Sequence, residues 1–444
     1  MSAIPSVRQR NNPLLPSTME QLMQFVWQHR LGLRGGQTTV DGRRVSVVDQ
    51  GILNADAGPD FFNATVEIDG QTWVGNVEIH VRASDWFRHR HDADPAYDSV
   101  ILHVVQVDDA PVYRSSGELI PQMIMRCTPE GARRCNLLIN HAGASLPCSS
   151  TISSLPHIYH TDWLTSLGAE RLYMKSERIR SLVDDTAGNW EAAAFVTLAR
   201  ALGFGLNSEP MEILARQLPL KFLNRHRDEL TSVEAFMFGQ AGLIPPPDTG
   251  EDPYITRLRD DYRFFSHKYS LRPLALAWKM ARTRPQNFPH RRIAALAQKV
   301  HEGFYLMSSL VEADTIDHMR QLFDITLRGF WATHYTFAST QATSPRALSR
   351  PSIDTLIINA AVPLRHAYAT YRGDDDTLTS DIELLQAIEP ENNSVTRLFA
   401  DAGIEAADAF DTQALIQLRR EYCEKRKCIY CRFGHRMLSA EISR

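Results

Sequence analysis

The sequence predicts an α+β protein: a mixed sheet with one flanking helix near the N-terminus, followed by a large all-helical region. Two observations predict it. Between residues 44 and 107, apolar and polar residues alternate over short runs bounded by Gly, Asp and Pro, the period of half-buried strands. Beyond Cys148, apolar residues recur every three to four positions over long runs, as in helices with one buried face. No repeat of fixed period interrupts this division, which excludes a solenoid.

In chain order, residues 1–17 are polar and proline-punctuated, and a disordered arm is expected there. Thr18 is placed to cap a helix over 19–29 with Leu22, Phe25 and Val26 on one face. Strands are predicted over 44–48, 64–68, 72–81 and 99–107, with Asp69-Gly70 turning the second into the third. A further edge strand is expected within 118–126, which gives a mostly antiparallel sheet. Helices are predicted over 163–183, 190–202, 210–218, 232–241, 253–265, 291–308, 315–327, 352–370 and 379–388, the last ended by Pro390. Loops rich in Pro, Ser and Thr separate them at 244–253 and 339–351. A final helix over 413–424 runs into a group of cysteines. The expected organisation is an arm (1–17), a sheet domain (18–150), a helical domain (151–412) and a C-terminal helix with its cysteines (413–444).

Composition narrows the function classes. A chain of 444 residues with 43% hydrophobic and 23% charged residues can bury two or three cores. A net charge of -4 argues against a surface that coats nucleic acid, and leaves room for a local basic groove. The N-terminus lacks the apolar run of a secretory leader, and no uncharged apolar run reaches the length of a membrane span. A bacterial-type cytoplasmic protein with no membrane partner is expected. In that setting the six cysteines are read as free thiols or metal ligands, not a disulfide framework.

The chemistry is concentrated between residues 51 and 105. Asp60 lies in a Gly-Pro-Asp-Phe turn, Glu78-Ile-His80 on a predicted strand, and His89, His91, Asp92 and His103 follow. Four of the 16 histidines thus fall between residues 80 and 103. Carboxylates and imidazoles are costly on half-buried strands unless something such as a divalent ion binds them. Glu78 and His80 share one strand face because residues two apart point the same way. The order of Glu20 on a helix, Pro59-Asp60 before a strand and Glu78-x-His80 on the next resembles the PD-(D/E)xK nuclease superfamily. That resemblance implies Mg²⁺ or Mn²⁺ held by Asp60 and Glu78, assistance from Glu20, and hydrolysis of DNA or RNA phosphodiesters. His80 replaces the superfamily's lysine, so it either acts in its place or marks a lapsed site that only binds nucleic acid or a protein. His89-x-His91 suggests a further metal-binding loop, and with His80 and His103 a histidine-rich hydrolase of another substrate. In the plainer reading Asp60 caps a turn and these histidines are ordinary surface or core residues.

Two other clusters stand out. Cys423, Cys428 and Cys431 have the spacing of a thiolate half-site for zinc or an iron–sulfur cluster. The fourth ligand would be His435 nearby or Cys148 through the fold. The arrangement of one distant cysteine with three at the C-terminus resembles certain helicase-associated and CRISPR-associated nucleases. Alternatively these are free thiols whose acidity is raised by Lys425, Arg426, Lys427 and Arg432. In the helical region Arg282, Arg284, His290, Arg291 and Arg292 form a basic cluster, with Asn287 and Phe288 beside it and Pro289 starting a helix. Arg284, Asn287, Arg291 and Arg292 are candidates for nucleic-acid contacts, or else the arginines pair with carboxylates of the sheet domain. Trp278, Trp331 and Tyr335 read as core aromatics.

Several phrases together resemble one family: NADAGPDF (54–61), GNVEIH (75–80), Asp85-Trp86 with His89 and His91, ILHVV (101–105), EAFMFGQAGL (234–243), RPQNFP (284–289) and the cysteine tail. They are similar to the bacterial domain-of-unknown-function family 2851 over about residues 19–438. The resemblance implies one shared architecture and no particular activity.

Overall fold

The computed structural model describes residues 16–31, 37–54, 56–127, 129–140, 146–218, 220–248, 252–281, 283–340, 344 and 346–442. Arm residues 1–15 and Arg282 lie outside them. The protein is α+β and divides into two compact units. Unit 1 comprises Met1–Trp163, Arg397–Glu405 and Leu418–Arg444; unit 2 comprises Leu164–Thr396 and Ala406–Gln417. The break at residue 163 and the return of the chain to unit 1 after residue 417 differ from the boundaries expected at 150 and 412.

Unit 1 opens with helix α1 (Pro16–Gln28), which begins ahead of the expected Thr18 cap. Proline suits the first turn, where its missing N–H has no partner to lose, so Thr18 falls inside the helix. Leu22, Phe25 and Val26 are buried as expected, and Met23 and Trp27 join them. The sheet contains β1 (Gln37–Thr38), β2 (Arg44–Asp49), β3 (Ile52–Leu53), β4 (Phe61–Ile68), β5 (Gln71–Arg82), β6 (Val100–Val107) and β7 (Gln122–Ile124). Its order is β1-β2-β4-β5-β6-β7, with β3 on β4. Asp69 and Gly70 have φ of 50° and 81°, so the β4–β5 turn uses the left-handed conformation that its Asp-Gly pair predicts.

The sheet is antiparallel only as far as β5. The β5–β6 and β6–β7 pairs are parallel. Parallel neighbours need a crossover, and the segment after β5 supplies one in helix α2 (Asp85–Arg88) and two single turns, His91–Ala93 and Pro95–Tyr97. Strand β6 is buried over six consecutive residues, Val100 to Val105, as expected of a strand covered on both faces. His103 lies in that run and is fully buried.

Unit 2 packs its helices around Phe195, Leu198, Phe236, Phe238, Ile293, Leu296 and Trp331. The helix predicted over 291–308 is two, Pro289–His301 and Leu306–Glu312, separated at Gly303 with φ of 97°. The helix predicted over 352–370 spans Arg350–Leu356 and Val362–Arg372 around a π turn, Ile357–Ala361. Pro363 explains the wide turn, since it offers no N–H to the ladder and its ring crowds the preceding turn. No helix of the described residues is long and apolar enough to cross a membrane.

Candidate metal centre

Asp60 and Glu78 are tied to each other's backbone. The Asp60 N–H donates to Glu78 Oε2 at 3.0 Å, and the Ile79 N–H donates to Asp60 Oδ2 at 3.0 Å. Gln24, one turn beyond Glu20 on α1, donates from Nε2 to Asp60 Oδ1 at 2.9 Å. These bonds fix both carboxyl groups where β4 begins beside β5. Strand alternation brings His80 to the face of Glu78, and the β5–β6 register sets Glu78 opposite His103. His80 Nδ1 then meets His103 Nε2 at 2.9 Å.

The crossover supplies the remaining imidazoles. Trp86 is fully buried and lies edge-on to His91 at 5.4 Å and against His103 at 5.2 Å. Arg90 adopts φ of 62°, a left-handed kink between His89 and His91. His91 stacks on Tyr97 at 3.7 Å between ring centres.

Three imidazoles cluster, with the Glu78 carboxylate against two of them. His80 Nε2 is 3.2 Å from His89 Nδ1 and 3.4 Å from Glu78 Oε1. His91 Nε2 is also 3.4 Å from Glu78 Oε1. Ligand atoms of His80, His89 and His91 all lie within 4.8 Å of one another. A tetrahedral ion with bonds of about 2.0–2.1 Å spaces its ligands about 3.3–3.4 Å apart, which is the spacing of these three contacts. Glu78, His80 and His91 are buried at 5%, 1% and 8% exposure, whereas His89 is exposed and marks the open side.

Electrostatics favour a cation here. Burial, reinforced by the Glu78 charge, pushes the Asp60 carboxyl up to about 7. Glu78 is pushed by burial to about 8, and Glu20 to about 7 by burial and then by Asp60 and Asp85. Three crowded carboxyl groups thus resist ionising together unless positive charge offsets them. Burial and then the neighbouring imidazoles hold His80 down at about 2, and burial above all holds His103 at about 3. Both rings are therefore neutral near pH 7, the state in which imidazole binds metal. Were His80 Nε2 to ligate an ion, the His80 proton would sit on Nδ1 and be donated to His103 Nε2, an outer-shell contact that would orient the ring.

The candidates Glu20, Asp60, Glu78, His80, His89 and His91 thus meet in unit 1, while Asp92 is exposed beside them. Gln24 and Tyr97 are additions that the motifs did not contain. Gln24 was legible as the position one helical turn from Glu20; Tyr97 carried no local signal. The basic segment in unit 2 is different. Arg291 is fully buried, and its guanidinium donates to the carbonyls of Trp331, His334, Ser344 and Arg346 at 2.9–3.2 Å. Arg292, 2% exposed, donates to the Ala347 carbonyl at 3.0 Å and to Asn287 Oδ1. Arg291, Arg292 and Asn287 are therefore structural, and their partners are carbonyl and amide oxygens, not the carboxylates expected. Arg284 is exposed.

Cys148, Cys423, Cys428 and Cys431 line a single cavity in unit 1. His435 does not line it; its ring packs against His29 at 4.4 Å and Phe25 at 5.2 Å.

A family model described as Protein of unknown function (DUF2851) matches residues 20–394. The chain belongs to this family. The matched span holds Glu20, Asp60, Glu78 and the histidines and stops short of Cys423. No curated protein and no solved structure matches the chain, and none of these comparisons supports the kinship with PD-(D/E)xK nucleases that the motifs suggested.

Proposed function

We propose that this DUF2851 protein is a metal-dependent hydrolase of phosphodiesters, with nucleic acid as its substrate class. Its centre would be Glu78, His80, His89 and His91. The observation that carries the reading is a trio of imidazole nitrogens mutually within 4.8 Å, two of them 3.4 Å from the Glu78 carboxylate. Such a donor set suits zinc and related transition ions better than the Mg²⁺ expected from the motif, which takes oxygen ligands. An ion held there would lower the pKa of a bound water and polarise a phosphoryl oxygen. Asp60, fixed by Gln24 and the Ile79 N–H, would take the proton from the attacking water, and Glu20 would receive it in turn or hold a second cation. Arg88 and Arg90, both exposed, flank His89 at the open side and would draw an anionic substrate toward it.

A second reading, a module that grips nucleic acid without cutting it, is favoured by one feature: His80 stands where the nuclease pattern has lysine. One experiment separates them. Full-length protein loaded with Zn²⁺ or Mn²⁺ is incubated with labelled single- and double-stranded DNA and RNA, beside Asp60→Asn and Glu78→Gln. Cleavage lost in both variants is expected. Metal-loaded, folded wild type that binds these substrates without cutting them establishes the second reading. Neither binding nor cutting rejects both.

A further inference from the structure

Four cysteines of unit 1 line one cavity. Cys148 stands just before the helix Ser149–Ser154. Cys423 ends the π turn Leu418–Cys423, Cys428 begins the turn Cys428–Tyr430, and Cys431 precedes the C-terminal helix Arg432–Ile442. Two stretches far apart in sequence thus bring four thiols to one cavity, whose other walls are Leu138, Leu146, Pro147, Tyr422 and Gly434. None of the four is in a disulfide.

The spacing of the sulfurs decides what such a site would hold. Four thiolates around one zinc ion, with bonds of about 2.3 Å, lie about 3.8 Å apart. Among the described residues, His80, His89 and His91 are a trio with ligand atoms mutually within 4.8 Å; no three of these cysteines are. The sulfurs instead line one shared cavity of about 20 Å³, room for about one water. Four thiols that share one cavity yet stand too far apart to close on a single ion fit a cluster whose own inorganic core keeps its ligands apart. Two local features support ligation. Burial raises the Cys431 thiol, and the Gly434 and Phe433 backbone N–H groups work against it by favouring the thiolate. Gly434 also allows the C-terminal helix to close on the knuckle, because a Cβ there would lie 2.0 Å from the Cys428 carbonyl oxygen.

We propose that Cys148, Cys423, Cys428 and Cys431 hold a four-iron, four-sulfide cluster, one thiolate on each iron. Each thiol releases one proton on binding, and the Cys428 thiol gives up its 3.4 Å contact to the Leu138 carbonyl. The cluster then ties the C-terminal helix to residues 146–154 within unit 1. This inference does not depend on the hydrolase reading, since none of its ligands belongs to the other centre.

The test is the metal content of the full-length chain purified without oxygen. Expected are about four iron and four sulfide per chain, with visible charge-transfer absorption that bleaches on reduction. Cys148→Ser and Cys431→Ser should each lose most of the iron, while Cys127→Ser, outside the cavity, should keep it. If the two site variants do not fold, reconstitution of iron-free wild type with ferrous iron and sulfide still decides. Full recovery of stoichiometry and spectrum sustains the cluster; failure to recover them overturns it. One zinc per chain without sulfide overturns it too, as does a cluster retained in both folded site variants.

Discussion

Glu78→Gln tests the proposed metal-binding role of the histidine cluster. The substitution keeps the side-chain shape and an oxygen to accept the Asp60 N–H at 3.0 Å, and burial raises the Glu78 carboxyl to about 8, so the metal-free protein should lose no stability near pH 7. What it removes is the ionisable oxygen 3.4 Å from both His80 and His91, the one that a cation would hold as an anion. A ligand at 100 times its dissociation constant stabilises the folded state by about 2.7 kcal/mol. For a cooperative unit of 150–250 residues, each kcal/mol moves the melting temperature by about 2–4 °C, so saturating metal should raise it by roughly 5–11 °C. The assay is thermal unfolding of chelator-treated protein titrated with Co²⁺, whose visible spectrum separates imidazole–carboxylate from thiolate ligation. Wild type should show the shift together with a nitrogen–oxygen spectrum, and Glu78→Gln should lose most of both. The reasoning is refuted by a wild type that shows neither with Co²⁺, Zn²⁺ or Mn²⁺. It is equally refuted by a shift of full size in the variant.

Three further outcomes follow from the packing. Burial raises the Glu234 carboxyl from 4.5 to about 8, with the Tyr254 hydroxyl donating to it at 3.0 Å. A raised acid contributes stability that is complete below its unfolded pKa and is lost as pH rises through the folded one, here between about pH 4.5 and 8. Glu234→Gln should therefore gain on wild type across that window by up to about 4–5 kcal/mol, measured by guanidinium unfolding at several pH values; a constant difference would contradict the assignment. Arg291→Ala strands four carbonyl groups and should cost on the order of 3–5 kcal/mol in urea unfolding, with Arg291→Lys recovering only part because ammonium lacks the planar fork. Nucleic-acid affinity that falls in a variant with undiminished stability would return Arg291 to the binding surface. Gly434→Ala forces a methyl group against the Cys428 carbonyl and should lower the iron content of the cysteine site; unchanged content would show that the helix closes differently.

The sequence disclosed residue types and local turns more readily than direction. The β4–β5 hairpin was legible because Asp69-Gly70 names its own turn geometry. The parallel placement of β6 was not, because a period of two reports a strand and says nothing of its neighbour's direction. The crossover that decides it consists of helical pieces of three and four residues, too short to show helical periodicity. Arg291 and Arg292 were misleading for a related reason. Adjacent arginines read as a basic surface, and only the carbonyls offered by residues 331–347 turn them into a buried brace.

Both clusters follow the same limit, and donor chemistry resolves what spacing leaves open. His89 and His91 advertise ligand type, but it takes the left-handed Arg90 and the wedge of Trp86 to place them beside His80. Cys428-x-x-Cys431 advertises a knuckle, yet the choice between His435 and Cys148 as fourth partner depends on a cavity formed by residues remote in the chain. His435 is lost to that site because its ring is packed against Phe25 and His29. The outcome is one cluster of nitrogen and oxygen donors and another of sulfur alone, all within unit 1. Thiolates select iron–sulfur or zinc chemistry, while imidazole with carboxylate accepts a wider range of divalent ions. Glu78→Gln should thus empty the first centre without touching iron, and Cys431→Ser should empty the second while leaving the Co²⁺ titration of the first intact.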